Sequence, residues 1–378
     1  MVRASTSRLA LSVVAASFLA GCTPALGPQT SVYDAPYPVR DVQLPADDAA
    51  HDSPFEWWYW VGHLETEDGR DLAFQLTFFE AFAPPEIRVA GLPSNWWIEK
   101  EMVAHAAVHD LDAGTHAKAQ RGVPWDGSAS RVELDVAMND WRAVRAEDGV
   151  SHHLSFTVGG TAFDLVLTPQ KPASLHGERP GIQTMGPGGV SYYVSHTRMA
   201  VEGTVAPHRL IPLTWRAEPV TGEAWFDHQW GDFRIDAFAG WDWFAMQFDD
   251  GTEAMLYLIR AEDGSYQTVA GSVIDEAGAT TYLTQEDVVI EPTGAAWTSD
   301  ATGATYPVEW DVRVPDHDID VRVTPRILDS EMDTRATTGI VYWEGAVTLD
   351  GSRSGRGFVE LTNYDRYPFE EGGIRTGP

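Results

Sequence analysis

Cysteine and lysine are scarce in this chain of 378 residues. Cys22 is the single cysteine, so no disulfide bond can form within the chain. Lysine occurs only at Lys100, Lys118 and Lys171, and Asp and Glu outnumber Lys and Arg by 56 to 26. The resulting net charge of −30 repels the phosphates of nucleic acids, so we exclude DNA and RNA as partners.

Familiar catalytic and cofactor motifs are missing as well. The sequence has no G-x-S-x-G nucleophile elbow, no phosphate-binding Walker loop and no dinucleotide fingerprint. The pairs His105 and His109, and His152 and His153, stand outside any zinc-motif context. We therefore expect neither a metal nor a cofactor.

Long hydrophobic runs are missing except near the N-terminus. There, Arg3 and Arg8 precede the apolar stretch LALSVVAASFLA, residues 9–20. This stretch is too short to span a membrane and is typical of a secretory signal peptide. The following LAGC, which ends at Cys22, fits the lipobox of a bacterial lipoprotein.

The N-terminal region therefore predicts a lipid anchor. We expect a signal peptide over residues 1–21, lipid attachment at Cys22 and a Pro-rich tether over residues 22–48. Thr23 stands where an Asp would favour the inner membrane. The predicted location is the cell envelope, at the periplasmic face of the outer membrane, with the membrane as a partner through Cys22.

The sequence is rich in aromatic residues, and its apolar residues alternate with polar ones in many segments. It has 15 Trp, 15 Phe and 12 Tyr, and such residues favour strands. Apolar residues recur at every second position in many short segments, as in DLAFQLTFFE from Asp71 to Glu80. Six turn signals containing Gly separate such segments: EDGR, DAGT, EDGV, DDGT, EDGS and LDGS. The pattern predicts an all-β protein of sandwich or barrel type.

The sequence also repeats itself. Residues 56–80 resemble residues 240–262, since each has a Trp-rich strand, an acidic turn with Gly and an alternating apolar strand. Residues 106–116 match residues 271–281 in the same order. We therefore predict two β domains of similar plan, over residues 49–218 and 219–378.

Residues 225–233, WFDHQWGDF, hold the densest group of chemically useful side chains. Strand alternation would place Asp227 on one face and His228 on the other unless a bulge intervenes. Acids and histidines among aromatic rings suit protonation of a carbon–carbon double bond, because the rings stabilise the carbocation. Ordinary core packing explains the same residues structurally. The acids and histidines concerned are Glu56, His63, Asp227, His228, Asp232, Asp242 and Glu253.

From about residue 50 to 368 the chain resembles the carotenoid 1,2-hydratase (hydroxyneurosporene synthase) and AttH-like family. The segments that carry the resemblance are FEWWYWVGHLETEDGRDLAFQLTFFE, GEAWFDHQWGDF and GWDWFAMQFDDGTEAMLYLIR. The resemblance implies two tandem lipocalin-like antiparallel β-barrel domains. It also implies cofactor-free addition of water to an isoprenoid double bond, the activity of a hydro-lyase.

The resemblance places the family's Asp-His motif on Asp227 and His228 and its Tyr on Tyr257. We take these three as the catalytic candidates. An acid shortly after that Tyr is replaced by Leu258 and Ile259, which weighs against carotenoid hydration itself. The candidate substrate-binding residues are Trp230, Trp243, Trp58, Trp60, Glu56 and His63.

Two functions follow from these residues, and a structural role in the cell envelope, without any ligand, is the third alternative. One is hydration or isomerisation of a double bond in a hydrophobic, isoprenoid-like small molecule. The other is non-catalytic carriage of a lipid or other hydrophobic ligand in the periplasm, with a transporter of the ABC type as a partner. A common cavity for Asp227, His228 and Tyr257 would favour the first.

Overall fold

The structure is a computed structural model, and it describes residues 40–82, 88–89, 92–93, 100–122, 126–185, 189–207, 217–233 and 237–368. Short 3₁₀ helices lie at Ala46–Asp48 and Pro315–His317. The strands are β1 (Phe55–Thr66), β2 (Asp71–Phe82), β3 (Arg88–Val89), β4 (Leu92–Pro93), β5 (Lys100–Asp110), β6 (Thr115–Arg121), β7 (Gly127–Ala129), β8 (Asp135–Met138), β9 (Trp141–Arg145), β10 (His152–Val158), β11 (Thr161–Pro169), β12 (Ser174–Leu175), β13 (Ile182–Thr184), β14 (Gly189–Pro207), β15 (Glu218–Phe233), β16 (Gly240–Phe248), β17 (Glu253–Arg260), β18 (Tyr266–Ile274), β19 (Thr280–Leu283), β20 (Val289–Pro292), β21 (Ala296–Thr298), β22 (Thr305–Pro307), β23 (Trp310–Val314), β24 (Ile319–Pro325), β25 (Glu331–Asp333), β26 (Val341–Gly351) and β27 (Gly355–Thr362).

Two large antiparallel sheets make up the fold. The first follows the order β6-β5-β2-β1-β15-β14-β11-β10-β9-β8-β7, with β12 and β13 paired to β14. The second follows the order β19-β18-β17-β16-β27-β26-β24-β23-β20, with β25 paired to β26. Each sheet curls into a half-barrel. The prediction of an all-β protein with two lipocalin-like barrel domains is confirmed.

The predicted turns connect the strands as expected. Each of the six turn signals joins two strands that pair directly, as β1 pairs with β2 and β16 with β17. The glycines of these turns have positive φ, for example +81° at Gly69 and +84° at Gly251. A side chain at those positions would be strained, so glycine fixes both the turn and the strand register.

The internal repeat corresponds to a repeated strand order. In the first sheet β1, β2, β5 and β6 lie side by side, and in the second β16, β17, β18 and β19 do the same. In each sheet a later strand then pairs with the other edge of the first, β15 with β1 and β27 with β16. The two halves of the chain therefore repeat one antiparallel plan.

The chain passes from the first sheet to the second later than the predicted domain boundary between residues 218 and 219. Strand β15, which begins at Glu218, pairs with β1 and β14 of the first sheet along its length. The second sheet begins with β16 at Gly240. The sequence WFDHQWGDF therefore closes the first half of the molecule instead of opening the second, because β1 needs a partner on its free edge.

Burial follows the strand alternation. One core fills the curl of the first sheet around Trp58, Trp60 and Phe74, and a second fills the other sheet around Trp310 and Trp343. A third core lies between the sheets and takes side chains from both: Phe55, Tyr59, Val61, Ala73, Trp225, Trp243, Met255, Tyr257 and Phe358, among others. The two half-barrels thus pack face to face across a shared apolar layer.

The end of the predicted tether belongs to the folded body. The side chains of Asp47 and Asp48 are buried, and the Trp58 indole N–H donates to the Asp48 carbonyl at 3.2 Å. Arg145 forms an ion pair with Asp48, with both side chains largely buried. Residues 40–48 are therefore packed against the first sheet, unlike a free tether, because their acids find partners there.

The predicted signal peptide and Cys22 lie outside the described residues. Among the described residues no helix has the length and apolarity that crossing a membrane requires.

The buried pair predicts a large effect from loss of Arg145. In Arg145→Ala the Asp48 carboxylate stays buried without a counterion, and we expect a loss of about 3–5 kcal/mol in the free energy of unfolding. Chemical denaturation measures this loss. Arg142→Ala is the matched control in the same strand, since Arg142 pairs with Asp135 at side-chain exposures of 57% and 35%. That variant should lose at most about 1 kcal/mol. Equal losses in the two variants would contradict the assignment.

Candidate active site

Strands β1 and β15 carry two kinds of side chain on their two faces. They pair without interruption, with Tyr59 opposite Asp227 and Trp58 opposite His228. Since side chains alternate along a strand, Tyr59 and Asp227 point to the layer between the sheets, whereas Trp58 and His228 point into the first half-barrel. The predicted divergence of Asp227 and His228 is therefore observed.

A cavity of about 260 Å³ lies in the layer between the two sheets. Both halves of the chain contribute to its walls, which are mostly aromatic or aliphatic. Asp227 and Glu360 are the acids among the lining residues. The principal lining residues are Phe55, Trp57, Tyr59, Phe79, Met185, Tyr193, Asp227, Gln229, Phe238, Trp241, Trp243, Tyr257, Ile259, Tyr342 and Glu360.

Asp227 is buried and receives three hydrogen bonds. The Trp225 indole N–H donates to one carboxylate oxygen at 2.5 Å, and the hydroxyls of Ser195 and Tyr193 donate to the same carboxylate. Burial raises the pKa of Asp227 to about 7, although these three hydrogen bonds act to lower it. The carboxyl group can therefore exchange a proton near neutral pH.

Glu360 is the second acid of the cavity. It projects from β27, where it pairs with Trp243 of β16, and it accepts one hydrogen bond from the Trp241 indole at 2.8 Å. Burial raises the pKa of Glu360 to about 7, and the negative charges of Asp227 and Asp242 add to the effect. The two acids therefore disfavour each other's ionisation, as carboxyl groups sharing one site do.

A third acid, Glu344, lies behind the cavity wall. The Tyr59 hydroxyl donates to it at 2.5 Å, which joins a strand of the first sheet to one of the second. Burial and the nearby charge of Glu360 raise the pKa of Glu344 well above its ordinary value. Its other carboxyl oxygen has no hydrogen-bond partner among the described residues. The Glu344 carboxyl group fixes the position of Tyr59 and is a third acidic side chain close to the cavity.

Tyr257 and Trp243 line the same cavity as Asp227, so the structure brings together three of the predicted residues. The Tyr257 hydroxyl donates to the carbonyl of Thr184 at 3.0 Å. The Trp243 indole donates to the Tyr193 hydroxyl at 2.9 Å, and Tyr193 in turn donates to Asp227. A hydrogen-bonded chain thus runs from the second sheet to the carboxylate of the first.

The other predicted site residues lie elsewhere. Trp58 and Trp60 are fully buried in the core of the first sheet. His63 lies between the sheets against Phe358, with its Nε2 3.3 Å from the Gly357 carbonyl, and burial lowers its pKa to about 3. It does not line the cavity.

Glu56, His228 and Trp230 form a separate group with His51. One oxygen of Glu56 lies 2.7 Å from His228 Nε2 and 2.8 Å from His51 Nδ1. Burial opposes ionisation of Glu56, but these hydrogen bonds hold its pKa below the ordinary value. Trp230 stacks on His51. His51, Glu56 and His228 are the described residues whose donor atoms lie close enough to hold a metal ion together.

Two functional candidates escaped the sequence reasoning. Glu344 stands between Tyr342 and Ala346 on one face of β26, and Glu360 stands between Phe358 and Thr362 on one face of β27. An acid next to an apolar residue on the same face of a strand, Tyr342 beside Glu344 and Phe358 beside Glu360, was the available signal. It was obscured because both strands lie far along the chain from the segment with Asp227.

The three acids and the aromatic walls together suit acid–base chemistry on an apolar molecule. Two carboxyl groups with pKa values near 7 hold a proton and a negative charge between them at neutral pH. One can give a proton while the other accepts one. Rings of Trp and Tyr around them can stabilise a transient cation.

The raised pKa of Asp227 predicts a stability effect with a definite sign. The native protein keeps the proton of Asp227 up to about pH 7, whereas the unfolded chain loses it near its ordinary pKa of 3.8. Ionisation therefore destabilises the fold as pH rises between these values. Asp227→Asn removes this penalty, so its free energy of unfolding relative to wild type should rise by on the order of 3 kcal/mol from about pH 4.5 to about pH 8. Urea denaturation at several pH values measures the difference.

Asp232→Asn is the control for this experiment, because Asp232 is an exposed residue of the same strand. The rise expected for Asp227→Asn should be absent in this variant. The buried histidines, such as His105 with a pKa lowered by burial to about 3, contribute equally to both proteins and cancel. A pH-independent difference for Asp227→Asn would show that the carboxyl group is not titrating near neutrality.

Comparison with known proteins identifies the family. Residues 35–364 match the family model described as AttH-like. An AttH protein from Nitrosomonas europaea is 33% identical, with a TM-score of 0.76 over 90% of this chain and 100% of that chain. Kievitone hydratase from Nectria haematococca has a TM-score of 0.63 at 14% identity, over 89% and 96% of the two chains. CghA, solved with Sch210972, has a TM-score of 0.50 at 15% identity, over 88% and 97%. The last two likenesses show a common fold.

No curated protein sequence matches the chain significantly. The chain therefore belongs to the AttH-like family, as its sequence motifs predict.

Proposed function

We propose that the protein is a cofactor-free hydratase or isomerase that acts on a carbon–carbon double bond of an apolar small molecule. The observation that carries the proposal is the pair of acids, the buried Asp227 and the half-buried Glu360, in one aromatic cavity between the sheets. Burial raises the pKa of each to about 7. The fold shared with kievitone hydratase is consistent with this chemistry.

The hydrogen bonds divide the roles of the two acids. Asp227 accepts from Trp225, Ser195 and Tyr193, which favours its ionised form and suits a base. Glu360 accepts only from Trp241 among the described side chains and backbone, and it keeps some exposure to the cavity. Glu360 is therefore the better proton donor of the pair.

The proposed hydration is balanced by these two groups. The Glu360 O–H bond breaks as its proton forms a C–H bond with one carbon of the double bond, which leaves a cation on the other carbon. Water adds to that cation, and Asp227 takes the proton that the water loses. Isomerisation differs in its last step, since the cation loses a carbon-bound proton in place of gaining water.

The aromatic walls support the cation and exclude bulk water. Trp57, Trp241 and Trp243 line the cavity, with Tyr59 and Tyr257 beside them. A cation over such a ring gains about 0.5–2 kcal/mol, with the larger value where water is excluded. These rings also provide an apolar surface for the hydrocarbon part of the substrate, which the two acids cannot provide.

Turnover by variants of the two acids tests this proposal. We expect the full protein to add labelled oxygen from ¹⁸O-water to one member of a panel of polyenes and isoprenoids, measured by mass spectrometry. Asp227→Asn and Glu360→Gln should each lower the rate by about 10²–10⁴-fold, because each removes one proton-transfer group. The wild-type rate should peak near pH 7, where one acid is protonated and the other ionised.

Matched controls are available on the surface of the same sheet. Asp232→Asn and Glu202→Gln make the same chemical changes at exposed positions and should leave the rate unchanged. Undiminished turnover in Asp227→Asn or Glu360→Gln, with the fold intact, would remove the assignment. A hydrophobic compound that co-purifies and never changes chemically would favour the alternative, a carrier that serves a transporter. The largely apolar wall of the cavity fits that alternative also.

We further propose that the protein works from a lipid anchor at Cys22. The support comes from the sequence: a basic start, a short apolar run and LAGC ending at the single cysteine. An anchor followed by a linker would hold the cavity close to a membrane surface, where apolar molecules concentrate. The substrate would then reach the cavity from the membrane.

Substitution of Cys22 tests the anchor. In a Gram-negative host, the wild-type protein should fractionate with the outer membrane and carry acyl chains on its N-terminal peptide by mass spectrometry. Cys22→Ser should be unlipidated, and Thr23→Asp should move the protein to the inner-membrane fraction. Thr23→Ser is the control and should behave as wild type. An unmodified N-terminal peptide in the wild type would contradict the proposal.

A further inference from the structure

We propose that His51, Glu56 and His228 form a binding site for one divalent transition-metal ion, with Zn²⁺ the best fit by ligand chemistry. The site lies at the end of the first half-barrel, on the opposite face of β15 from the cavity. Two imidazoles and one carboxylate make up a donor set that zinc uses in open three-ligand sites. The two nitrogen donors disfavour Mg²⁺ and Ca²⁺, which take oxygen ligands.

The donor atoms already converge. Glu56 Oε1 lies 2.7 Å from His228 Nε2 and 2.8 Å from His51 Nδ1, and the three donor atoms all lie within 4.8 Å of one another. Donors around a tetrahedral zinc lie about 3.3 Å apart, given metal–ligand distances of about 2.0–2.1 Å. Small side-chain rotations would therefore replace the two hydrogen bonds by metal bonds without moving the strands.

A cation beside Glu56 would stabilise its buried carboxylate. Its side chain is fully buried, and its ion-pair partners in the described part of the chain are the two histidines alone. No Lys or Arg of that part pairs with it. His228 is fully buried too, and its Nδ1 has no hydrogen-bond partner among the described residues, so Nε2 is its one polar contact. A bound metal would supply positive charge next to the buried carboxylate.

Residues around the two histidines orient their rings through a hydrogen bond and through stacking. Asp47 Oδ1 lies 3.4 Å from His51 Nε2, the ring nitrogen that faces away from Glu56. Asp47 is itself held by Arg40 through contacts of 2.6 and 2.5 Å. Trp230 stacks on His51 with ring centres 4.1 Å apart, and Trp58 stacks on His228 at 4.9 Å. Both imidazoles are therefore held near their ligating orientation before any metal binds.

In the part of the chain that the structure describes, the site is exposed on the side of His51. The His51 side chain is 16% exposed, whereas those of Glu56 and His228 are fully buried. His51 precedes β1, and the segment with Asp47 and Asp48 packs over the end of the half-barrel. A metal here would bind this segment to β1 and β15 and leave one coordination position for water. Its binding needs no substrate, so the test does not depend on the proposed hydration.

Metal binding to the full protein tests the site. After chelator treatment and dialysis, the wild-type protein should take up one equivalent of Zn²⁺ with a Kd below about 1 μM, measured by calorimetry. Co²⁺ in place of Zn²⁺ should give the visible absorption of a tetrahedral site, and Zn²⁺ should remove that absorption. Failure of the wild-type protein to bind either ion would overturn the proposal without recourse to any variant.

His51→Ala is the first variant to make, because the partly exposed His51 can be truncated with little risk to the fold. We expect it to weaken Zn²⁺ binding by at least about tenfold. Glu56→Gln should do the same, with its fold checked by circular dichroism. His153→Gln is the matched control, since His153 forms an exposed pair with Asp164 at 3.0 Å, and it should bind as wild type does. Tight binding that survives His51→Ala and Glu56→Gln would place the metal elsewhere and overturn the assignment.

Discussion

The uninterrupted pairing of β1 with β15 is the constraint on which the rest of the molecule depends. Twelve successive residue pairs, from Phe55 with Gly231 to Thr66 with Val220, keep one register. A slip of β15 by one residue against β1 would turn β15 over, moving Asp227 into the half-barrel and His228 into the layer between the sheets. The large aromatic residues on each face prevent this, because Trp58 and Trp60 fill the barrel while Tyr59 and Trp225 fill the layer.

Placing acids in the layer between the sheets costs free energy, and hydrogen bonds and salt bridges across the layer offset part of that cost. Asp227 and Glu344 are buried and Glu360 is half-buried in the region where the two sheets meet, and each keeps a raised pKa. Bonds across the layer hold them in place, such as those from Tyr59 to Glu344 and from Trp243 to Tyr193. Salt bridges at one side, from Lys171 and Arg198 to Glu253, join the sheets further. Buried acids that cannot all ionise are thus tolerated because the surrounding packing is rigid, an arrangement characteristic of active sites.

Most of the fold could be predicted from the sequence because its signals are local. Alternation and glycine turns depend on neighbouring residues, and they placed the hairpins correctly. The sheet boundary could not be predicted in this way. Strand β15 belongs to the first sheet through its pairing with β1, more than a hundred residues earlier in the chain, and no local pattern reports such a partner.

The candidate site divides along the same line. Asp227, Tyr257 and Trp243 were predicted and do line one cavity, because each lies in a segment with a recognisable pattern. Glu360 was missed, since its importance comes from the pairing of β27 with β16, which sets it opposite Trp243. His51 was missed for a related reason: its partners Glu56 and His228 meet it only after the chain has folded.

The size of the cavity limits what can bind there. Pockets for drug-sized ligands usually measure about 300–1,000 Å³, and the cavity between the sheets, at about 260 Å³, lies just below that range. A long polyene could enter only with one end, whereas a compact unsaturated molecule could be enclosed. Ile259, two positions after Tyr257, lines the wall with an aliphatic side chain. Glu360 lies on β27, which β16 separates from the strand of Tyr257, and it would supply an acid for the proposed acid–base chemistry, while the size of the cavity would favour a compact substrate.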